Sequence, residues 1–595
     1  MAQRDPHSSW SPEKPRIKHI DFDLHVDFSK KVLRGSADYQ FDRPLESAFQ
    51  LDTRDLSVVR ISTPDGKELK WSRGDATFLG RVLTIHDTRG LSGLRIQYET
   101  SPDAAALQWL DAEQTAGKRH PFMFSQCQAI LARSVFACQD SPGVRFTYAA
   151  KLHVPRGLSA VMAAIARGSH QEGNETVFEF DMHHPIPSYL FALAVGNITS
   201  ASIGKRSRVF AEPESVKQAA WEFADVDRMI EGAEGLFGKY IWEEFNLLVM
   251  PPSFPYGGME NPTLTFLTPT VIAGDRSLVS VVAHELAHSW TGNLVTNASW
   301  EDFWLNEGWT VYAERRILER LFGTEFANLQ AANGRTSLTK AFEVFGGPTS
   351  PLTKLKTDQE GVDPDDVFSV VPYEKGFLFL TAIERAVGRE AFEQFIQAYI
   401  HDFAFKSLFT EQFVEYLDAK LPQARRAVNF DAWIHSPGLP GDAAAFSSHL
   451  IDEVREAQQQ WTAGKRDLAS VIAKWTVDQK TLFLDELPEK QSSAELFVIE
   501  RLFDVEHTQN SEILVPWFTL AAANTYRKSF PAIREFLGVV GRGKFLRPLY
   551  RALHQNPETS DWAKELFAEF KDRYHSVGRN AVARILEQPS VASQG

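Results

Sequence analysis

Cysteine is scarce in this sequence, which contains only Cys127 and Cys138 among its 595 residues. Two cysteines cannot build a disulfide framework, and their scarcity favours a reducing compartment. Long apolar runs are missing as well: no stretch of about 18 apolar residues occurs, which excludes a membrane-spanning helix. The polar first ten residues lack the apolar segment of a secretory signal. We therefore expect a cytoplasmic protein with no membrane partner.

A basic stripe or patch is also missing. The net charge is −14, so we expect no nucleic-acid partner. The acidic balance by itself indicates solubility rather than a particular ligand.

The chain is too long for one ordinary core. Its pattern of apolar and polar residues changes three times along its length. Residues 1–203 contain short alternating segments such as HIDFDLHVDF, which predict an all-β, sandwich-like domain. Residues 204–435 combine a small sheet with helical periodicity and predict an α-rich domain with a small sheet at its start. Residues 436–446 form a Pro/Gly linker, and residues 447–595 read as an array of amphipathic helices resembling a solenoid.

The segment VVAHELAHSW contains a His-Glu-x-x-His motif, in which His284 and His288 are four residues apart. On a helix this spacing places both imidazoles on one face, where they can bind one metal ion. Glu285 is then adjacent to the metal and can act as a base. The alternative is a pair of histidines on a solvated face. The apolar residues around the motif argue against it, because buried imidazoles need partners.

Glu307 is the predicted third ligand, since it lies in the apolar and aromatic stretch FWLNEGWTVY, where an unpaired carboxylate would be costly. A His₂Glu set with one open position is typical of a catalytic zinc, one per chain, which lowers the pKa of bound water toward ~7. Glu285 would take the proton. Glu314, two helical turns beyond Glu307, is predicted to orient a ligand; a surface ion pair is the alternative.

Several further blocks carry a family resemblance. YGGMENP, the His-Glu-x-x-His motif, VPYEKG, SQCQAI and GRGKFLRPLY together resemble the aminopeptidase-N-like gluzincin family, and within it the leukotriene A4 hydrolase branch. The matching blocks run from about His120 to Tyr550. The resemblance implies a multi-domain α+β protein with an N-terminal β domain, a thermolysin-like α/β catalytic domain and a helical C-terminal domain.

The resemblance also implies roles for individual residues. Glu260 would bind the free α-amine of a substrate, Gln128 would help to hold that amine and the first carbonyl, and Tyr373 would donate a hydrogen bond to the oxyanion. Without the resemblance, Gln128 would be interpreted as a buried glutamine bonded to backbone and Tyr373 as a core aromatic. The remaining residues of the YGGME block would line the cleft: Tyr256, Gly257, Gly258 and Met259.

Arg542 and Lys544 match a basic pair that grips the substrate carboxylate, although alone they would be an ordinary solvated turn. Asp365 matches an acidic residue that faces the substrate and would favour an N-terminal Arg or Lys; a structural Asp near Pro364 is the alternative. Phe368 stands where the vertebrate lipid-processing enzyme of this family has a tyrosine. Because phenylalanine lacks the hydroxyl group, the resemblance gives weaker support for the stereochemistry of leukotriene formation in this protein.

These features predict a zinc aminopeptidase that acts, as a monomer, on di- and tripeptides with a free N-terminus. An epoxide hydrolase that uses the same zinc on a lipid epoxide is the main competing function. Asp365 and a long apolar pocket favour it, whereas Phe368 counts against it as the main role. A catalytically silent scaffold protein and a thermolysin-type endopeptidase are two less favoured functions.

Overall fold

The computed structural model describes residues 4–589. The secondary structure changes along the chain from strands, to strands mixed with helices, and then to helices alone. This confirms the predicted order of a β region, a mixed region and a helical region. Within the described range, no helix combines the length and the apolar character that crossing a bilayer requires.

The first region consists mainly of strands, joined by short turns. Its strands are β1 (Ile17–Asp27), β2 (Val32–Phe41), β3 (Phe49–Thr53), β4 (Ser57–Ser62), β5 (Trp71–Arg73), β6 (Arg81–Ile85), β7 (Gly93–Glu99), β8 (Leu107–Leu110), β9 (Phe122–Ser125), β10 (Arg145–Pro155), β11 (Ser159–Met162), β12 (Ile165–Glu172), β13 (Glu175–Pro187), β14 (Leu193–Gly196) and β15 (Thr199–Ser202).

Seven of these strands form one sheet in the order β12-β13-β10-β1-β2-β7-β4, in which β1 and β10 run parallel. The alternation expected from the sequence is visible in β1, where Ile20, Phe22 and Leu24 are buried and the intervening residues are not. Because side chains alternate across a strand, one face of this sheet packs on the core and the other is polar.

The central region combines four strands of a five-stranded sheet with ten α-helices. Its elements are β16 (Arg208–Ala211), α1 (Val216–Glu222), α2 (Val226–Phe237), β17 (Asn246–Val249), β18 (Gly258–Met259), β19 (Leu264–Leu267), α3 (Val279–Ala287), β20 (Val295–Asn297), α4 (Trp304–Phe322), α5 (Thr324–Val344), α6 (Val371–Val387), α7 (Arg389–Asp402), β21 (Lys406–Leu408), α8 (Thr410–Lys420), α9 (Pro422–Ala427) and α10 (Phe430–Ile434).

The five-stranded sheet has the order β15-β16-β17-β19-β18. The predicted boundary between residues 203 and 204 therefore falls between β15 and β16, which pair as antiparallel neighbours. Residues 436–446, predicted as a linker, contain no helix or strand. The domain bounds themselves stay predictions.

The last region is entirely helical. Its helices are α11 (His449–Thr462), α12 (Ala469–Ile472), α13 (Val477–Asp485), α14 (Ser493–Leu502), α15 (Ser511–Ala523), α16 (Phe530–Val539), α17 (Gly543–Gln555), α18 (Ser560–Phe570) and α19 (Ser576–Glu587). Their apolar faces form a core of their own, separate from the core shared by the first two regions. Leu329 of α5 belongs to this second core, so the central region packs directly against the helical one.

Candidate active site

The three predicted metal ligands converge on one point. His284 lies in the last turn of α3, and His288 follows α3 directly with helical backbone angles (φ −55°, ψ −24°). Their Nε2 atoms are 3.2 Å apart. Glu307, in the first turn of α4, places its Oε2 atom 3.3 Å from Nε2 of His284 and 3.5 Å from Nε2 of His288. Helix α3 thus supplies two ligands and α4 the third.

This arrangement fits a zinc ion. Oε2 of Glu307 is buried and has no hydrogen-bond partner, which is costly for a carboxylate without a cation. Burial raises the pKa of Glu285 to about 8, and burial together with Glu307 and Glu285 raises the pKa of Glu260 well above its usual range. A divalent cation offsets this crowded negative charge, and two imidazoles with one carboxylate are a set that zinc prefers.

The outer nitrogens of both histidines have partners that orient the rings. Nδ1 of His284 lies 3.0 Å from Oε2 of Glu314, where Glu314 can hold the ring as predicted. Nδ1 of His288 lies 3.1 Å from the carbonyl oxygen of Thr291 and 3.1 Å from Oγ1 of Thr310. An Nδ1–H that donates to such an acceptor leaves Nε2 free to bind metal. The threonines were not predicted, although Thr310 lies three residues after Glu307 on the same helix.

Two adjacent glycines let side chains approach the backbone of the YGGME block. A Cβ atom on Gly258 would lie 2.3 Å from Oε1 of Glu285, and one on Gly257 would lie 2.6 Å from Nη2 of Arg542. A side chain at either position would displace the Glu285 carboxylate or the Arg542 guanidinium, so glycine at both positions permits this close approach. Glu285, the predicted base, and Arg542, predicted to bind the substrate carboxylate, therefore flank one short backbone segment.

That segment continues as β18, the edge strand of the five-stranded sheet, and Glu260 follows it. Its backbone is held by Asn293, whose Nδ2 donates to the carbonyl oxygen of Glu260 at 2.7 Å. Oε1 of Glu260 is buried and has no hydrogen-bond partner, and the same is true of Nε2 of Gln128. An acceptor and a donor without partners are the groups that a substrate ammonium and carbonyl would satisfy.

Tyr373 lies in the first turn of α6, with its ring stacked on that of His284 at a centroid distance of 6.0 Å. Its edge packs against Phe303 and Phe368. Burial, and then the carboxylate of Glu307, raises the pKa of Tyr373 well above its usual range. The phenol therefore keeps its proton at neutral pH and stays a hydrogen-bond donor.

An apolar cavity opens beside this aromatic group. Tyr256 and Phe368 line it, with ring centroids 5.9 Å apart, together with Gln128 and Asp365. Asp365 lies in the short 3₁₀ turn Pro364–Asp366, and burial, then the neighbouring Asp363, raises its pKa to about 7. The cavity thus carries one acidic group in a largely apolar wall.

Helix α17 brings cations from the last region to this cleft. Arg542 is buried, with Nη1 3.3 Å from Oε1 of Glu512, whereas the side chain of Lys544 is 59% exposed and places Nζ 2.7 Å from Oε2 of Glu512. Arg547, which was not predicted, lies over the ring of Phe368 at 5.5 Å. The GRGKFLRPLY block contains Arg547 and could have indicated it. Glu512, on α15, had no such signal.

Three family models match successive parts of the chain. They are the peptidase M1 N-terminal domain over residues 16–190, the peptidase family M1 domain over residues 221–433, and the leukotriene A4 hydrolase C-terminal region over residues 475–586.

Similar proteins match along almost the whole length. The leukotriene A-4 hydrolase of Xenopus laevis is 40% identical, covering 98% of this chain and 99% of the relative. Leucine aminopeptidase 2 of Chaetomium globosum is 39% identical, covering 98% of each. The solved structure of yeast LTA4 hydrolase in complex with bestatin superposes with a TM-score of 0.91 at 34% identity, covering 98% of each chain.

Proposed function

Since this chain belongs to peptidase family M1 and carries the C-terminal domain of leukotriene A4 hydrolases, we propose that it is a zinc-dependent aminopeptidase of short peptides. The family membership confirms the resemblance and the hydrolase class predicted from the sequence. The removal of single N-terminal residues, the substrate length and the residue roles below are the proposal.

The buried, unpartnered Oε1 atom of Glu260 is the observation that carries the proposal. It lies 4.0 Å from Nδ1 of the predicted ligand His288, so an ammonium bound there would lie next to the metal centre. A free α-amine satisfies this carboxylate, whereas an internal peptide segment does not. The enzyme therefore removes residues from the N-terminus only.

His284, His288 and Glu307 would hold one zinc ion per chain. Bound zinc supplies a Lewis acid that polarises the scissile carbonyl and acidifies water. Glu285 takes the proton of the attacking water and passes it to the leaving amine. Tyr373 donates its O–H to the carbonyl oxygen as negative charge develops there. Glu314 keeps His284 in the orientation that directs Nε2 to the metal.

Substrate length follows from the position of two cations at the start of α17: Arg542 directly precedes this helix and Lys544 lies in its first turn. With the amine at Glu260, Arg542, which lies against the backbone of Gly257, would bind the terminal carboxylate of a di- or tripeptide. Lys544 adds a more exposed positive charge. Two free, buried cysteines fit the proposed cytoplasmic location, and the enzyme would act as a monomer.

A second activity, hydrolysis of a lipid epoxide, is favoured by the apolar cavity with Asp365 in its wall. A relative of this chain carries the name leukotriene A-4 hydrolase. The residue Phe368 lines the same cavity without a hydroxyl group. Incubation with a fatty-acid epoxide and identification of the product tests this role: a diol formed at a defined carbon supports it, and unchanged or randomly hydrolysed epoxide contradicts it.

The aminopeptidase proposal is tested with chromogenic aminoacyl amides, with and without a chelator. We expect turnover that is lost with zinc and restored by adding zinc. Glu285→Gln should retain zinc while its kcat falls by about 10²–10⁴-fold, the contribution of a positioned base. Turnover without zinc would contradict the proposal, cleavage of N-terminally blocked peptides would indicate an endopeptidase, and no turnover of any peptide would favour a scaffold.

A further inference from the structure

A second group of side chains that could hold a metal ion lies on the polar face of the seven-stranded sheet. Strands β1 and β10 are parallel neighbours, and their register places His25 directly opposite His153. The two imidazole rings stack with centroids 4.0 Å apart and an interplanar angle of 20°. Neither histidine belongs to the candidate active site, and the function proposed above does not use them.

Two carboxylates contact different nitrogens of this histidine pair. Oδ1 of Asp23, on β1, lies 2.9 Å from Nε2 of His153, and Oε2 of Glu175, on β13, lies 3.1 Å from Nδ1 of His25. The same Glu175 oxygen is 3.9 Å from Nδ1 of His153. One ligand atom each from Asp23, His25 and His153 can be chosen so that all lie within 4.8 Å of one another.

We propose that Asp23, His25 and His153 form a second metal site, which binds a borderline divalent cation such as Zn²⁺, while Glu175 accepts a hydrogen bond from Nδ1–H of His25 and leaves Nε2 of that ring free for the ion. Two imidazoles with carboxylate oxygens form a donor set suited to zinc, nickel and copper rather than to calcium or magnesium. Two adjacent strands, β1 and β10, present the ligands, so the backbone is already in place. Only the stacked rings must tilt about Cβ–Cγ, a torsion with a broad energy minimum.

The neighbouring side chains determine how tightly this site binds a metal ion. The side chain of His153 is 11% exposed, whereas that of Asp23 is 55% exposed, so the ion is held at the surface. In the strand register Lys151 lies opposite Asp23, and Arg34 lies opposite His25. Their positive charges oppose binding of a cation, while the two carboxylates favour it. The site therefore exchanges its metal more readily than the buried catalytic cleft.

The test counts metal ions on the full-length protein. The zinc-loaded enzyme is dialysed against buffered, low-micromolar free Zn²⁺, and bound zinc per chain is measured together with peptidase activity. We expect two equivalents in the wild type and one in His25→Ala and in the nearly isosteric Asp23→Asn, with activity unchanged in both variants. His19→Ala, on the same strand but outside the group, should keep two equivalents.

Thermal unfolding provides a second measurement on the same samples. Added Zn²⁺ should raise the Tm of the wild type and of His19→Ala, but not of Asp23→Asn, because a ligand that binds the folded state stabilises it. The proposal is overturned if the wild type binds a single zinc, or if Asp23→Asn and His25→Ala bind as much zinc as the wild type. Because these outcomes do not depend on catalysis, they are separate from the aminopeptidase test.

Discussion

Gly308 and Gly376 are in contact where helices α4 and α6 cross: a Cβ atom on Gly308 would lie 2.7 Å from Cα of Gly376. Glu307 immediately precedes Gly308, and Tyr373 lies one turn before Gly376 on α6. The close crossing therefore brings the predicted acidic ligand and the predicted oxyanion donor to the same cleft.

Gly308→Ala should damage both stability and activity. A methyl group at this contact has no free space, and such overpacking costs about 1–3 kcal/mol of the free energy of unfolding. The displaced helices would also separate Glu307 from Tyr373, so kcat should fall. Chemical denaturation and peptidase assays measure the two effects.

Gly232→Ala is the matched control, because a Cβ atom there, in helix α2, would have no neighbour within 4 Å. This control should be neutral or stabilise the protein by about 0.5–1 kcal/mol, as alanine is the better helix former. Unchanged unfolding and activity in Gly308→Ala would show that the crossing is not tight.

Glu314→Gln should weaken zinc binding about 10- to 100-fold, the usual effect of losing the group that orients a metal-binding histidine. The reason is the 3.0 Å contact between Glu314 and Nδ1 of His284. Competition with a chromophoric chelator gives the zinc Kd. Glu319→Gln, five residues further along α4, is the control, because Glu319 pairs with Arg316 and Arg389 instead. Equal zinc affinity in the two variants would contradict the role of Glu314.

Glu260→Gln should lower kcat/KM for peptides with a free amine by about 10- to 150-fold, since a hydrogen bond to a charged group contributes about 1.5–3 kcal/mol. The zinc content should stay unchanged. We expect the wild type to cleave N-acetylated peptides poorly and the variant to lose little further on them. If kcat/KM falls equally for both kinds of substrate at full zinc content, Glu260 does not bind the substrate amine.

Arg542→Ala and Lys544→Ala should differ in their effect on tripeptides. The buried Arg542 should matter more: its loss should lower kcat/KM for a tripeptide with a free carboxylate by about tenfold or more relative to the corresponding amide. Lys544, with a side chain 59% exposed, should contribute no more than about 1 kcal/mol, or about fivefold. A carboxylate-to-amide ratio that neither variant changes would contradict the proposed carboxylate site.

The raised pKa of Asp365, about 7, predicts a pH-dependent substrate preference. The group is protonated below that pKa and ionised above it, so its attraction for a cationic first residue is absent at low pH and grows as the pH rises through 7. The ratio of kcat/KM for N-terminal Arg over Ala should therefore increase from pH 6 to pH 8, conditions about one unit either side of that pKa. Asp365→Asn should remove the dependence of this ratio on pH. An equally steep rise in that variant would rule out Asp365 as the source of the pH dependence.

The parts of the site that were predictable depend on short stretches of chain. His284, Glu285 and His288 follow from helical spacing, and Glu307 from an acidic residue within an apolar run. Thr310, Arg547 and Glu512 were not predicted, because their roles come from contacts between separate helices. Arg547, for example, donates a hydrogen bond to the carbonyl oxygen of Phe368, which is 179 residues away in the sequence.

Local periodicity by itself determined the three regions, the metal-binding motif and its base, because these depend on repeats of two or about four residues along the chain. Family motifs added the expected roles of Glu260, Tyr373, Arg542 and Lys544. Only the tertiary structure decided that Gly308 and Gly376 touch, that Glu512 lies between Arg542 and Lys544, and that His25 stacks on His153. Those relationships depend on helix crossing and strand register, which are set by the packing of the whole chain.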